Sequence, residues 1–507
     1  MFRESALLRG LLIAAVCLPL ALFIGYQLAT PEDRSSFFWI GLVFCLLLLP
    51  FLIRWHHPLL LICWNLPLIL FFLPGQPSVG IVMAAISLSV SIASRTLNKQ
   101  RPFISCPSVS FPLIFLTAVV LTTAGLTGGI HGNAFGSRTL GASRYLGVLG
   151  AIMGYFALVA QPVPPKYAKP LTYVFFLSGT VSVFHTLIEI SGSNFEPLNM
   201  VFSNAINNAS GELSVVERFT GMAWSAGAFC GFMIMRFGIR GIFDVRHPWR
   251  WLSFIAAFFL GMLGGYRSLI VLFFILFMVQ LYFEKLFRTR LFFGFVLGCF
   301  LAGLLILPFA EQLPLSVQRS ISFLPVPIDP VAREDAFTTS SWRLEMWRMV
   351  LAEDVPKYFL LGKGYNFDSM DVYLTQMGMA HGIYKAYDQL LVLDDYHNGP
   401  LTLIVSFGIF GVLAFAAFCW GALRALYANY RYGDPAMRLI NTFLLADFIT
   451  ILVVFLTFYG EFYIDLMSFT GIIGLSLTLN GGVRRAGQAV IQADVETEVK
   501  APRLQPA

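Results

Sequence analysis

Charge is what this 507-residue sequence has least of. Lys, Arg, Asp and Glu together make up 12% of it, roughly half the share found in soluble domains. That deficit excludes a soluble one- or two-domain protein. Cysteine is scarce too. Of the seven, Cys17, Cys45, Cys63, Cys230, Cys299 and Cys419 lie inside apolar runs, only Cys106 lies outside them, and none has metal-ligand spacing. A disulfide framework and a thiolate metal centre are therefore both unexpected, and the cysteines read as small core residues. Internal repeats and low-complexity tracts are missing as well.

Hydrophobic residues are abundant, at 57% of the sequence, and mean hydropathy is +0.74. Many apolar runs approach or exceed about 18 residues, the length that crosses a bilayer as a helix. Lipid offers no partner to unpaired backbone groups, and these segments are too long and continuous for barrel strands. The expected fold is all-α, a polytopic helical membrane protein. Candidate spans are 8–29, 36–53, 58–74, 78–94, 111–131, 145–161, 170–190, 219–237, 251–265, 268–284, 291–309, 400–423, 437–459 and 463–480. That makes about fourteen helices (a range of about 12–14). Residues 1–29 have signal-peptide character, but further spans follow at once and no good cleavage site is visible, so a retained first helix is expected.

Lys and Arg set the orientation. With the N-terminus inside, every inner loop is basic, as at Arg95, Lys99 and Arg101, at Arg236 and Arg240, and at Arg424 and Arg431. This positive-inside pattern makes the inner side cytoplasmic and places both termini there. It also accounts for the net charge of +6 without nucleic acid as a partner. Three regions follow: N-terminal transmembrane helices over 1–249, a second transmembrane region over 250–481, and a polar, non-periodic tail over 482–507 expected to be disordered.

The outer side collects the informative polar residues. One loop holds Arg138 and Arg144. A second, 191–218, carries an Asn208-Ala209-Ser210 sequon, a weak signal, and ends in Glu217-Arg218. A tight turn carries Tyr266-Arg267-Ser268. The last large loop, 310–399, precedes the final three helices and alone is long enough for a small extramembrane domain. Within it, residues 340–351 read as a short amphipathic helix whose Trp342, Met346 and Met349 suit a bilayer surface. A glycine turn, Leu361-Gly362-Lys363-Gly364-Tyr365-Asn366, follows.

The loop ends in Asp394-Asp395-Tyr396-His397-Asn398-Gly399-Pro400, which runs abruptly into an apolar helix. Pro400 suits the first helical turn, and Asn398 or Gly399 suits the cap. His397 then sits where hydrocarbon begins, beside free N–H groups and a helix dipole that attract phosphate. It is a candidate base for a hydroxyl group, a candidate metal ligand with Asp394 or Asp395, or simply a solvated capping residue. Arg267 is either a bidentate clamp on phosphate or diphosphate or an arginine snorkelling to headgroups. Arg343 shares its outer layer. Glu461 and Asp465, in the last outer turn, suit sugar hydroxyls or ordinary interfacial positions. The His56-His57 pair, His131, His185 and His381 read as structural. Gly408 and Gly411 share a helix face and permit close helix packing.

Together these features resemble the O-antigen ligase and polymerase family of bacterial membrane glycosyltransferases. The family signature is His, then Asn, Ser or Gln, nine residues, Gly, two residues, then Gly, Thr or Tyr. His397-Asn398, Gly408 and Gly411 match it throughout. Trp342-Arg343-Leu344-Glu345-Met346-Trp347 and the glycine turn at 361–366 resemble its upstream elements, and Tyr266-Arg267-Ser268 resembles its arginine turn, with Val271 where the family usually carries leucine.

The resemblance implies a glycan donor on undecaprenyl diphosphate, used at the periplasmic face of the inner membrane without nucleotide sugar, cofactor or metal. It implies that His397 activates the acceptor hydroxyl and that Arg267 and Arg343 hold the donor diphosphate, with Trp347, Asn398, Gly408 and Gly411 in support. Implied partners are the lipid-linked glycan, the bilayer, and other assembly proteins such as a chain-length regulator or a flippase. The leading expectation is a polymerase of O-antigen or exopolysaccharide repeat units. The alternatives are a ligase acting on lipid A-core, a protein oligosaccharyltransferase and, from a different class, a polysaccharide transporter or flippase. Transporters favour internal repeats and ionisable residues at the bilayer midplane; the sequence shows no repeat, and its few candidates for buried charge, Glu189, His185 and Asp447, suggest no relay.

Overall fold

In the computed structural model of the chain, the structure describes residues 18–26, 34–97, 103–127, 140–202, 216–367, 369–383 and 386–486. Arg138, His131, Lys99, Arg101, the 208–210 sequon and the tail beyond 486 lie outside the described residues. Within them the chain is helical throughout, with only two isolated bridges, Leu68 with Phe202 and Ile69 with Ser78. Among the described residues, eight helices are long and apolar enough to cross a membrane. The protein is a polytopic helical membrane protein.

The helices in chain order are α1 (Arg34–Cys63), α2 (Val79–Leu97), α3 (Pro107–Thr127), α4 (Leu140–Leu158), α5 (Pro165–Leu177), α6 (Val183–Ser191), α7 (Thr220–Ile242), α8 (Pro248–Met262), α9 (Arg267–Phe283) and α10 (Arg290–Ile306). The external segment holds α11 (Leu315–Ser320), α12 (Pro330–Ala352), α13 (Asp354–Tyr358), α14 (Ser369–Ala380) and α15 (Ala386–Val392). The chain then re-enters the bundle as α16 (Gly399–Tyr432), α17 (Arg438–Thr457) and α18 (Phe462–Asn480).

One expected division fails. Spans 36–53 and 58–74 are not two helices: α1 runs unbroken through Pro50 and Pro58. The stop comes later, where Pro67 disfavours helix in the residue before it and the Asn65 side chain donates instead to the Phe175 carbonyl, 2.9 Å away. Residues 68–70 then pair with 77–79 and 201–202. By contrast, α8 and α9 are two separate helices, as expected, divided at 263–266.

The bundle core draws on most of these helices. Helix α18 packs on α4, α4 on α2, α16 on α3, α7 on α8, and α17 on α9. α10 has no buried residue.

The most consequential departure from regularity lies within α16. The helix opens as the sequence predicts: Asn398 is the cap, its side chain accepting from the Leu401 N–H, with Pro400 in the first turn. At Gly408 the backbone leaves helical geometry, with φ 61° and ψ −167°. Two carbonyls and an N–H released there are taken up by the glycine turn. Lys363 and Gly364 N–H donate to the Val405 and Ser406 carbonyls, each at 2.9 Å, and Ile409 N–H donates to the Phe359 carbonyl at 2.7 Å. The approach admits no side chain. A Cβ at Gly408 would stand 2.2 Å from the Leu360 carbonyl oxygen, and one at Gly362 2.2 Å from that of Ser406. The expected role of Gly408 and Gly411 in a shared helix-packing face is thereby corrected. Gly408 is a break that receives a hairpin, and a Cβ at Gly411 would press on Phe407 of its own helix.

The external segment sits on this break. Asp329 caps α12 by accepting from the Val331 N–H, and Pro330 occupies its first turn, so the helix starts ten residues before the expected 340. Its inner stripe runs Ala332, Asp335, Ala336, Thr339, Trp342, Met346, Val350, a 3–4 spacing that defines one face. Trp342 and Met346 are not turned to a bilayer surface. They bury against Tyr396, Leu401 and Val405 at the head of α16, worth roughly 1.5–3 kcal/mol for each large side chain removed from water. Met349 alone of the three stays exposed.

Candidate active site

His397 lies between the external segment and α16, in the left-handed region at φ 49°; Asp394, three residues earlier, has φ 54°. Such conformations cost non-glycine residues about 1–2 kcal/mol, and four tethers hold them. The Trp347 indole donates to the Tyr396 carbonyl at 2.7 Å. Arg144 donates to the Leu393 carbonyl at 2.5 Å. Asp394 accepts from the Tyr396 hydroxyl at 2.7 Å and pairs with Lys363 at 2.5 Å. The tryptophan motif, the glycine turn and the histidine motif are therefore one structure.

Asp394 is thus engaged away from the histidine. Asp395 and Glu461 face it instead: His397 Nδ1 lies 3.0 Å from Glu461 Oε1 and 3.2 Å from Asp395 Oδ1. Glu461 precedes α18 and is itself fixed. Tyr459 donates to its Oε1 at 2.9 Å, and its backbone N–H donates to Asp465 Oδ2 at 2.7 Å. The imidazole stacks on Tyr459, with centroids 5.2 Å apart, and has Trp342 at 6.1 Å on a tilted plane.

The electrostatics assign the proton. Burial lowers the His397 pKa below its ordinary value, the Glu461 hydrogen bond offsets part of that, and the Arg343 charge adds to it. The ring is neutral near pH 7. Burial also raises Asp395, reinforced by the Glu461 charge and hydrogen bond. For Glu461, burial is outweighed by hydrogen bonds from His397 and Asp395, and its carboxyl is held well below the usual range. These opposite directions favour a proton on Asp395 over one on Glu461. An ionised Glu461 only accepts, so His397 Nδ1 carries the ring proton and Nε2 presents its lone pair. Nε2 has no protein partner among the described residues.

Four arginines gather beside this centre. Arg267 opens α9 after the non-helical Tyr266, and Arg343 lies on α12 next to the buried Trp342, its Cζ 5.6 Å from that ring. Arg267 feels the charges of Arg319, Arg343 and Asp335. Arg343 in turn feels Tyr459, Arg319, Asp395 and Glu461. The two arginines expected to act together are electrostatic neighbours, and Arg343 also borders His397. The structure adds Arg218 and Arg319. Arg319 is buried and fully employed, donating to Asp335, to the Gly265 carbonyl and to Thr339 Oγ1. It pins the turn that carries Arg267 to α12. Asp335 is the shared carboxylate, also 3.8 Å from Arg218.

Asp395, His397 and Glu461 each bring one ligand atom within 4.8 Å of the others, close enough to hold a metal ion. The surrounding guanidiniums oppose a cation there, and Nδ1 is already hydrogen-bonded to Glu461. A cavity of about 840 Å³ between α3 and α16, lined by Phe111, Trp420 and Arg424 among others, opens at the far end of α16 from His397.

Sequence reasoning missed what Glu461, Arg218, Arg319 and Arg144 do. Glu461 directly precedes an apolar helix, Arg218 lies two residues before one and Arg267 opens one, and that position near a helix start was the available signal. Nothing local marks Arg319 or Arg144. The histidines read as structural fit that reading where described: His56 bonds Ser87, His57 bonds the Leu158 carbonyl and His381 the Met377 carbonyl, and His185 lies 3.5 Å from Glu189.

No curated protein matches the chain. Residues 246–416 match the family described as O-antigen ligase, a stretch that contains Arg267, Arg343, Trp347, His397, Asn398, Gly408 and Gly411. The matched stretch is about a third of this helical membrane protein, and it is similar to, and consistent with, the O-antigen ligase and polymerase family.

Proposed function

We propose that the protein is a glycosyltransferase that takes a glycan from undecaprenyl diphosphate and extends a polysaccharide with it, at the periplasmic face of the bacterial inner membrane. The observation that carries this reading is a neutral imidazole with an open Nε2, set beside a group of guanidiniums with too few carboxylates to balance them.

The chemistry follows from that pairing. The acceptor hydroxyl gives its proton to His397 Nε2 while its oxygen bonds to the anomeric carbon of the donor sugar. The C1–O bond to diphosphate breaks, and undecaprenyl diphosphate leaves with the electron pair. Glu461 keeps the ring in the correct tautomer and stabilises the imidazolium that forms. Arg267 and Arg343 stabilise charge building on the diphosphate, an effect strengthened where water is excluded. The bond being broken is already activated, so position, a base and an anion clamp suffice, and the reading includes no metal.

Polymerase and ligase share this chemistry and differ in acceptor. Glycan analysis of a deletion strain, complemented with wild type or His397→Ala, separates them. Accumulation of lipid-linked single repeat units with loss of long chains supports the polymerase. Long lipid-linked chains that never reach lipid A-core or protein support the ligase or oligosaccharyltransferase. Normal polymer in the His397→Ala strain overturns the catalytic assignment.

A further inference from the structure

The donor reading above assigns two arginines to the diphosphate, both inside the matched region. A third guanidinium stands beside them from outside it. Arg218 lies two residues before α7, in the N-terminal half of the chain, and its side chain is 11% exposed. It reaches the turn that carries Arg267: its Cζ is 5.8 Å from the Tyr266 ring, and a Cβ added at Gly265 would meet its aliphatic stem at 3.4 Å.

Its hydrogen bonding is the anomaly. Nε and Nη2 of Arg218 are buried with no hydrogen-bond partner among the described residues, and so is Nε of Arg343. Its approach to Asp335, at 3.8 Å, is an ion pair but too long for a hydrogen bond. Asp335 is already taken by Arg319, whose donors are used on three different groups. Arg319 and Arg218 thus differ in kind: one is saturated by protein, the other holds donors in reserve.

The charges lead the same way. Arg218 is electrostatically coupled to Arg319, Arg343 and Asp335, and Arg267 to the same three. Arg218, Arg267 and Arg319 all feel the one carboxylate Asp335, while Arg343 feels Arg319 and Glu461, and Glu461 is committed to His397. Buried like charges with unused donors are costly unless a ligand supplies anionic oxygens at several points. A diphosphate does this; a single carboxylate does not.

We infer that Arg218 is a third ligand of the donor diphosphate, so that the N-terminal helical region adds to a site whose other two arginines lie within the matched residues 246–416. The inference rests on the donor reading. Arg267 belongs to α9, Arg343 to α12, and Arg218 to the segment before α7.

The test is binding of undecaprenyl diphosphate to purified full-length protein in phosphatidylcholine nanodiscs, with inorganic diphosphate as competitor and phosphatidylglycerol nanodiscs as a second arm. Wild type, Arg218→Gln, Arg218→Lys and His397→Ala are compared. Expected are equal binding by wild type and His397→Ala and roughly tenfold weaker binding by Arg218→Gln, the scale of one charge-assisted hydrogen bond. Arg218→Lys, which keeps charge and fold but lacks the planar fork, should also bind more weakly, and inorganic diphosphate should compete. If both Arg218 variants bind as wild type does, the inference falls and the donor reading stands. If Arg218→Gln does not fold, Arg218→Lys decides. A wild type that binds no undecaprenyl diphosphate overturns both. Equal competition by phosphatidylglycerol would assign Arg218 to a bulk headgroup and overturn the inference.

Discussion

Nδ1 of His397 lies 3.0 Å from Oε1 of Glu461, across 64 positions of sequence. Glu461 is outside the matched residues 246–416. If it holds the imidazole, Glu461→Gln should lower kcat by about 100-fold, in the range that general-base catalysis contributes, with little change in donor KM. The carboxylate raises the His397 pKa against burial, so its loss should move the acid limb of the rate profile to lower pH. An unmoved profile with unchanged kcat would remove Glu461 from the site.

For the wild type, the pH dependence has a fixed sign. His397 works as the neutral base, and burial holds its pKa below the ordinary 6.5. Transfer should be flat around neutrality and fall only at pH values below the ordinary histidine range. A steady rise from pH 6.5 to 8 would point to a different base.

Arg267→Lys and Arg343→Lys should each lose about tenfold or more in kcat/KM, because one ammonium does not reproduce a planar two-pronged donor. Steady-state transfer with lipid-linked donor measures this. Lysine variants as active as wild type would leave only a need for positive charge.

Gly408→Ala should destabilise the protein by about 3 kcal/mol or more, since the new Cβ meets a backbone oxygen and the positive φ adds strain. Thermal unfolding in detergent reads this as a drop of several degrees. Unchanged stability and activity would mean that the hairpin does not enter the helix break.

A chelator should leave transfer unaffected in a purified system. Arrest by EDTA, restored by one divalent ion, would assign Asp395, His397 and Glu461 as its ligands.

The sequence made some of this legible for identifiable reasons. The α16 cap was readable because Asn398 and Pro400 act on their own neighbours. The helical membrane class was readable because apolar length is a one-dimensional signal. Trp342 and Met346 misled because an amphipathic stripe has the same spacing whether it faces lipid or a partner helix. Gly408 misled for a similar reason: small residues at helical spacing suit either packing or a break, and only the hairpin decides. Glu461 and Arg218 were visible as polar residues at helix starts, but their partners lie far along the chain, at His397 and near Arg343.

The entry of residues 359–364 into α16 at Gly408 also bears on how such proteins can be recombined. A loop that donates hydrogen bonds into a membrane helix is not a cassette. Moving 310–399 alone into a relative would leave the host helix with an unfilled gap and the graft with orphaned amides. The transferable unit is the loop together with the first half of its helix, so chimeras should be joined beyond Gly411 rather than at the membrane boundary.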